Sequence, residues 1–169
     1  MSCEQWKLIK GYYDYYISSF GRVFSLKTYE ILMLNINKKT GYQFITLRRN
    51  GKKRYHDIHR LVALAFLTNP KKKKCVDHIN NIKSDNMLSN LRFATPLENG
   101  KNRRPNKNSK TQTKGVYFHK ASQKYQPYIQ SNGVYRYLGS HKTFAEALSV
   151  RVKMANELFG EYVNACEKL

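Results

Sequence analysis

Thr95-Pro96-Leu97-Glu98 fixes the start of a helix more firmly than any other stretch of this chain. A threonine hydroxyl at the N-cap can accept from the third backbone N–H. Proline at the first helical position lacks only an N–H that the helix does not use, and glutamate at the third position can reach back to the cap. Read backwards from that helix, LRFAT (Leu91 to Thr95) is a strand, INNIKSDNMLS an irregular loop, and CVDHI (Cys75 to Ile79) a shorter strand. The order is therefore strand, loop, strand, helix. Further upstream, HRLVALAFL (His59 to Leu67) is an apolar helix candidate stopped by Asn69-Pro70, and Lys71 to Lys74 follow it. Asn50-Gly51 lies between two strand-like runs and predicts a tight hairpin. From about Glu4 to Lys27, aromatic and β-branched residues punctuated by Gly11 and Gly21 read as short strands joined by tight turns.

After the capped helix the pattern changes. Gly100 to Lys114 carries six Lys or Arg and no acid, which is the composition of a linker able to track phosphates, with Arg103, Arg104 and Lys107 as its exposed cations. The remainder predicts three short strands, GVYFHKA, KYQPYIQS and VYRYLGSHK, with turns at Ser122-Gln123 and Asn132-Gly133. Thr143 and Glu146 then form a second capping box, opening a helix that Gly160 stops. Phe144, Ala147, Leu148, Val152, Ala155 and Leu158 (or Phe159) form an apolar stripe that backs the sheet and leaves the other sheet face to Lys, Arg, His and Tyr.

Charge narrows the partners. Lys and Arg number 31 against 11 Asp and Glu, a formal net charge of +20, which points to a polyanion and above all to nucleic acid. No apolar run approaches the ~20 residues a spanning helix needs, and the first residues lack a signal-peptide core. The expected setting is intracellular, in the cytoplasm or nucleus of a host, without secretion or membrane binding. Cys3, Cys75 and Cys166 are isolated, so neither a disulfide framework nor a C-x-x-C zinc site is implied.

Within this basic chain, the only acids between Ile31 and Leu97 are Asp57, Asp77 and Asp85. Phosphodiester hydrolysis needs a base for water and positive charge on the phosphate oxygens. His78 offers a base near neutral pH. Asp77 offers a hard oxygen ligand, and Asn99, in the capped helix, a neutral amide oxygen. Such a sparse set suits Mg²⁺, which keeps several waters. Successive strand residues point to opposite faces, so Asp77 and His78 address one site only if the strand ends or bulges there. Asn90, at the far end of the loop, is placed to pin it by bonding backbone. Asn80, Asn81 and Asn86 read as turn residues. His56 and His59 read as structural, with a second metal-ligand role as the alternative.

His59-Arg60-Leu61-Val62-Ala63, then Val76-Asp77-His78-Ile79, then Asn90-Leu91-Arg92-Phe93-Ala94-Thr95 and Glu98-Asn99, resemble the HNH endonuclease family, in particular the homing nucleases of phages and large viruses. The resemblance implies an α+β chain: a ββα-metal (His-Me finger) core followed by a small three-stranded antiparallel sheet plus helix. It implies His78 as general base, Asp77 and Asn99 as ligands of one Mg²⁺ or Mn²⁺, and Asn90 as the structural middle position. Trp6-Lys7-Leu8-Ile9 through Gly21-Arg22-Val23 resembles the small N-terminal module joined to such nucleases. Gly115-Val116-Tyr117-Phe118, Tyr137-Leu138-Gly139 and Phe144-Ala145-Glu146-Ala147 look like the APETALA (ethylene-response-factor-like) DNA-binding domain, whose sheet enters the major groove.

Where that family's sheet carries several Arg and a Trp, this one offers Lys114, Tyr117, His119, Lys120, Lys124, Gln126, Tyr128, Arg136 and Tyr137 as DNA contacts. The expected organisation is a module over 1–40, a nuclease domain over 41–105, a basic linker over 106–114 and a DNA-binding domain over 115–169. A homing-type nuclease acting as a monomer on double-stranded DNA, carried by a virus or mobile element, is the reading. A non-catalytic DNA-binding regulator and an RNA-binding module are the alternatives.

Overall fold

A computed structural model of the chain describes residues 3–106, 111 and 113–168. It forms two compact units, Met1–Thr95 and Pro96–Leu169. In the first, β1 (Trp6–Ile9), β2 (Tyr12–Ser18), β3 (Val23–Ser25) and β4 (Glu30–Leu32) make one antiparallel sheet in that order. A second sheet joins β5 (Asn35–Ile36), β6 (Gln43–Arg49) and β7 (Lys52–Asp57). Asn50 and Gly51 both take positive φ, 48° and 74°, which is the left-handed pair that a two-residue type I′ hairpin demands.

Helix α1 (Ile58–Phe66) supplies the centre of the core. Its Ile58, Leu61, Val62 and Ala63 are buried together with Ile17 and Val23 of the first sheet, Ile45 and Leu47 of the second, and Leu91. Residues 1–40 therefore do not form a body of their own, as the sequence suggested. A module of about forty residues is too small to bury a sufficient core, and its strands share one with α1. The unit is completed by β8 (Cys75–His78) and β9 (Leu91–Ala94), a two-stranded antiparallel ladder.

The second unit opens with α2 (Pro96–Lys101), so the structural boundary falls at Thr95 and Pro96, ahead of the expected linker. Strands β10 (Val116–His119), β11 (Lys124–Ser131) and β12 (Val134–Tyr137) form an antiparallel sheet, and α3 (Phe144–Phe159) packs on one face. Its capping box is complete: Glu146 N donates to Thr143 Oγ1 at 3.2 Å and Thr143 N to Glu146 Oε2 at 3.5 Å. The core gathers Ile129, Ala155, Phe159 and Val163. Among the described residues, no helix is long and apolar enough to cross a membrane.

Two expectations change here. The buried line of α3 is Ala147, Arg151, Ala155 and Phe159, at four-residue spacing, with an arginine inside it. Glu167 neutralises that arginine, with Oε1 2.9 Å from an Arg151 amine and Oε2 3.1 Å from Lys114 Nζ. The basic stretch is also anchored at both ends. Asn102 is buried and its carbonyl accepts from Asn164 Nδ2, while Lys114 Nζ donates to Lys101 O at 2.7 Å. Lys114, expected to contact DNA, is thus a largely buried structural cation.

Candidate active site

The β8–β9 ladder pairs Cys75 with Ala94, Val76 with Phe93, Asp77 with Arg92 and His78 with Leu91. Directly opposed residues share a face, so Asp77 stands beside Arg92 and His78 beside Leu91, on the other face. The regular register runs through His78 without a bulge. His78 is the last residue of β8, and the neighbouring Asp77 carboxylate acts on its imidazole, opposing the downward pull of burial on its pKa. Both are buried, each 5% exposed, so neither orientation is free to change at the surface.

Arg92 holds Asp77. Its Nε and terminal amine lie 2.9 and 2.7 Å from the same carboxylate oxygen, Oδ2. This charge-assisted pair fixes the rotamer of a carboxylate that burial alone would make costly.

His78 sits in a stack of rings. Its centroid is 5.1 Å from that of His59 and 5.8 Å from that of Tyr42, and Lys83 Nζ covers the Tyr42 ring at 4.9 Å. Nε2 of His78 lies 3.2 Å from Asn86 Oδ1, and Asn86 Nδ2 lies 2.7 Å from Gln43 Oε1. Burial pushes the His78 imidazole below the usual histidine range, with the Asn86 contact opposing that shift, so the ring is held neutral at pH 7.

Asn90 controls the loop between the strands. Its Oδ1 accepts from Asn80 N at 2.9 Å, and its Nδ2 donates to Asn80 Oδ1 at 2.9 Å and to Asp85 O at 2.8 Å. Its own carbonyl accepts from Ile79 N at 2.9 Å. One buried amide thus clamps the start, middle and end of the loop that follows His78.

His59 has a different character. Its Nδ1 is buried with no hydrogen-bond partner, and burial, reinforced by the neighbouring His78, depresses its pKa to about 4. In the unfolded chain it takes a proton near the ordinary ~6.5. Between those values the unfolded state binds a proton that the folded state refuses, so stability falls as pH drops from about 6.5 towards 4. The full contribution is about 3 kcal/mol. His59→Phe is expected to flatten this acid limb in denaturant midpoints measured against pH; an unchanged slope would show that His59 is protonated in the fold.

The structure brings Asp77, His78 and Asn90 together in the first unit. Asn99 lies on α2 in the second unit, with its side chain exposed. On the sheet, the register puts Tyr117 opposite Gln126, His119 opposite Lys124, and Tyr128 opposite Tyr137. These residues share the face away from α3, where Tyr117, Tyr128 and Tyr137 form a row of rings with successive centroids 5.8 and 5.2 Å apart. Arg136 pairs with the buried Ile129 and so leaves from the helix-side face, apart from that group. Lys120 lies in the β10–β11 turn, Arg103 and Arg104 are exposed after α2, and Lys107 lies outside the described residues. Asn86, Gln43, Arg92 and Tyr42 belong to the site but carry no sequence signal beyond their residue types.

Family models match in two places: the NUMOD4 motif over residues 4–48, and HNH endonuclease over residues 56–101. DNA endonuclease I-HmuI of Bacillus phage SP01 is 38% identical over 99 residues, covering 58% of this chain and 56% of that protein. H-N-H endonuclease F-TflII of Escherichia phage T5 is 33% identical over 110 residues, 59% of this chain and 56% of its own. An uncharacterized HNH endonuclease, L245 of Acanthamoeba polyphaga mimivirus, is 36% identical over 86 residues, 51% of this chain and 26% of that protein. The chain thus spans just over half the length of the two phage relatives and about a quarter of the mimivirus one.

A solved structure described as "DNA binding and cleavage by the HNH homing endonuclease I-HmuI" superposes with a TM-score of 0.55 at 29% identity, covering 92% of this chain and 83% of that one. Residues 4–48 are thus similar to a NUMOD4 motif and residues 56–101 to an HNH endonuclease domain, in that order along the chain.

Proposed function

We propose that the protein is a divalent-metal-dependent, homing-type endonuclease that hydrolyses phosphodiester bonds in double-stranded DNA. The observation that carries this reading is His78: a buried imidazole whose pKa burial lowers, held at one nitrogen by a side-chain amide and preceded by a carboxylate that Arg92 fixes.

The residues fit a hard cation. Asp77 presents a carboxylate already fixed in one rotamer by Arg92. Among the described residues no group of three or more His, Cys, Asp and Glu gathers, and the resemblance to HNH nucleases names Asp77 and Asn99 as the oxygen donors. That set suits Mg²⁺ or Mn²⁺ better than zinc. Such an ion, when bound, neutralises charge on the phosphate oxygens. His78 takes the proton from water, Arg92 keeps the carboxylate in place, and Asn90 keeps the loop from shifting the ring.

The second unit supplies the grip. A three-stranded sheet backed by one helix supports the likeness to APETALA-type domains. Its open face presents Tyr117, His119, Lys124, Gln126, Tyr128 and Tyr137 to a groove, with Lys120, Arg103 and Arg104 along the phosphates. We place the protein, as a monomer, among nucleases spread by viruses, as its relatives from phages and a mimivirus suggest.

The test is supercoiled plasmid incubated with the protein in Mg²⁺, in Mn²⁺ and in excess chelator. Nicked or linear product that appears only with metal is expected; no product under any metal would leave a DNA-holding protein without chemistry. Retention of duplex DNA should fall about 10³- to 10⁵-fold between about 50 and 200 mM salt if roughly six to ten phosphates are neutralised. A salt-independent affinity would remove the basic surface from the binding.

A further inference from the structure

We propose that a cavity in the second unit binds a single nucleotide, one base with its phosphate, either free or turned out of a DNA strand. The proposal goes beyond the nuclease reading and stands without it, because its test reads binding and no cleavage.

The cavity is lined wholly from within residues 96–159 and has a volume of about 490 Å³. That is the size of a small-molecule site, too small for a duplex and enough for one nucleotide. Positive charge gathers around one ring in its wall. Lys101 Nζ, Lys114 Nζ and the Arg151 guanidinium lie 5.4, 5.9 and 5.9 Å from the centre of Phe159, and all four residues line the cavity. Glu167 offsets part of that charge, 3.1 Å from Lys114 and 2.9 Å from Arg151. Three cations against this one carboxylate leave an excess that an anion relieves. Among the described residues, none that lines the cavity is acidic.

The strands supply rings and amides. Tyr128 and Gln130 are two apart on β11, and Tyr135 stands directly opposite Gln130 in the ladder, so these three share the open face of the sheet. They line the cavity together with Tyr117 and Asn132. Tyr135 is 72% exposed, a ring that core packing does not account for. Aromatic rings stack on any base, and an amide offers a donor and an acceptor to a base edge. A simple anion needs only the lysines; rings and amides beside them fit a base joined to its phosphate.

Gly115 keeps the two sets within reach of one ligand. Its φ is +62°, and a Cβ there would collide with Tyr128 O and stand 3.0 Å from Arg151 Nε. Bare backbone therefore lies between Tyr128 and Arg151, where a side chain would fill the space. The cavity also adjoins the row of rings on the open face, since Tyr117 and Tyr128 belong to both. A duplex held on that row has the cavity beside it, which makes an extruded nucleotide one source of the ligand and the free nucleotide pool the other.

Calorimetric titration of the full-length protein with deoxyadenosine monophosphate, against inorganic phosphate and adenosine, tests this. Saturable binding of the monophosphate, about tenfold or more tighter than of either fragment, is expected. Lys101→Glu and Tyr135→Ala should each weaken it by roughly tenfold, the worth of one charge-assisted contact or one stacked ring. Tyr135 is exposed, so its variant decides the matter even if the Lys101 variant loses its fold. Titrations in excess chelator with a hairpin duplex carrying one unpaired adenine, and with the same duplex fully paired, identify the source. A preference of about tenfold for the unpaired adenine, lost in the variants, assigns the nucleotide to the strand. Equal affinity for the two duplexes, with the monophosphate still bound, assigns it to the free pool. The proposal is overturned if neither the monophosphate nor the unpaired adenine is preferred over its controls, or if the preference survives the substitutions.

Discussion

His78→Ala is expected to lower DNA nicking by roughly 10²–10⁴-fold while leaving duplex retention on a gel unchanged. The expectation follows from where the ring sits. His78 closes β8 with its side chain packed among Tyr42 and His59 and with Asn86 on Nε2, so no second imidazole can take its place without moving the strand. His59, the nearest candidate, is held neutral in the same stack by burial and has no hydrogen bond to orient it. The truncation also leaves a cavity, which costs stability. Melting curves of the variant should accompany the kinetics, so that lost activity in a folded protein is distinguished from unfolding. Undiminished nicking by a folded His78→Ala protein would remove the residue from the reaction.

Glu167→Gln is expected to have the largest effect on stability. Glu167 is 3% exposed and carries the charge that offsets Arg151, also 4% exposed, and Lys114. Burial alone pulls the Arg151 pKa down, and Glu167 opposes that pull. Removing one partner of a buried pair strands the other, at about 3–5 kcal/mol. In a unit of this size that is a drop of roughly 12–40 °C in the melting midpoint. The loss should appear in the transition of the second unit, followed by near-ultraviolet dichroism of its tyrosines. Replacing both ends, as Arg151→Met with Glu167→Leu, should recover most of it, because apolar groups of similar volume need no counter-charge. A Glu167→Gln protein as stable as the wild type would show that solvent reaches Arg151.

Local chemistry made much of the fold legible. Thr143 and Glu146 specify a helix start by atoms three residues apart, Asn50-Gly51 specifies a turn, and the apolar run after Ile58 specifies a buried helix. Each signal is complete within a few residues. The parts that escaped depend on partners far away in the chain. Asn86 looked like one turn asparagine among several, because what distinguishes it is Gln43, 43 residues earlier. Arg151 carried no signal of burial in the sequence, because Glu167, its counter-charge, comes only after the helix has ended. Lys114 was grouped with the linker cations for the same reason.

The alternation of strands was legible and carried further than its first use. Arg136 and Tyr137 are neighbours, so they cannot share a face, and the register bears that out.

The single core that unites residues 4–32 with α1 and β6 bears on how such a gene can be recombined. A crossover near codon 40 would cut that core in two and leave both products unfolded. A crossover at codons 95–96 falls at the boundary of the two compact units but inside the HNH match over residues 56–101. On the reading proposed above, an exchange there would replace the grip on DNA and the Asn99 ligand together.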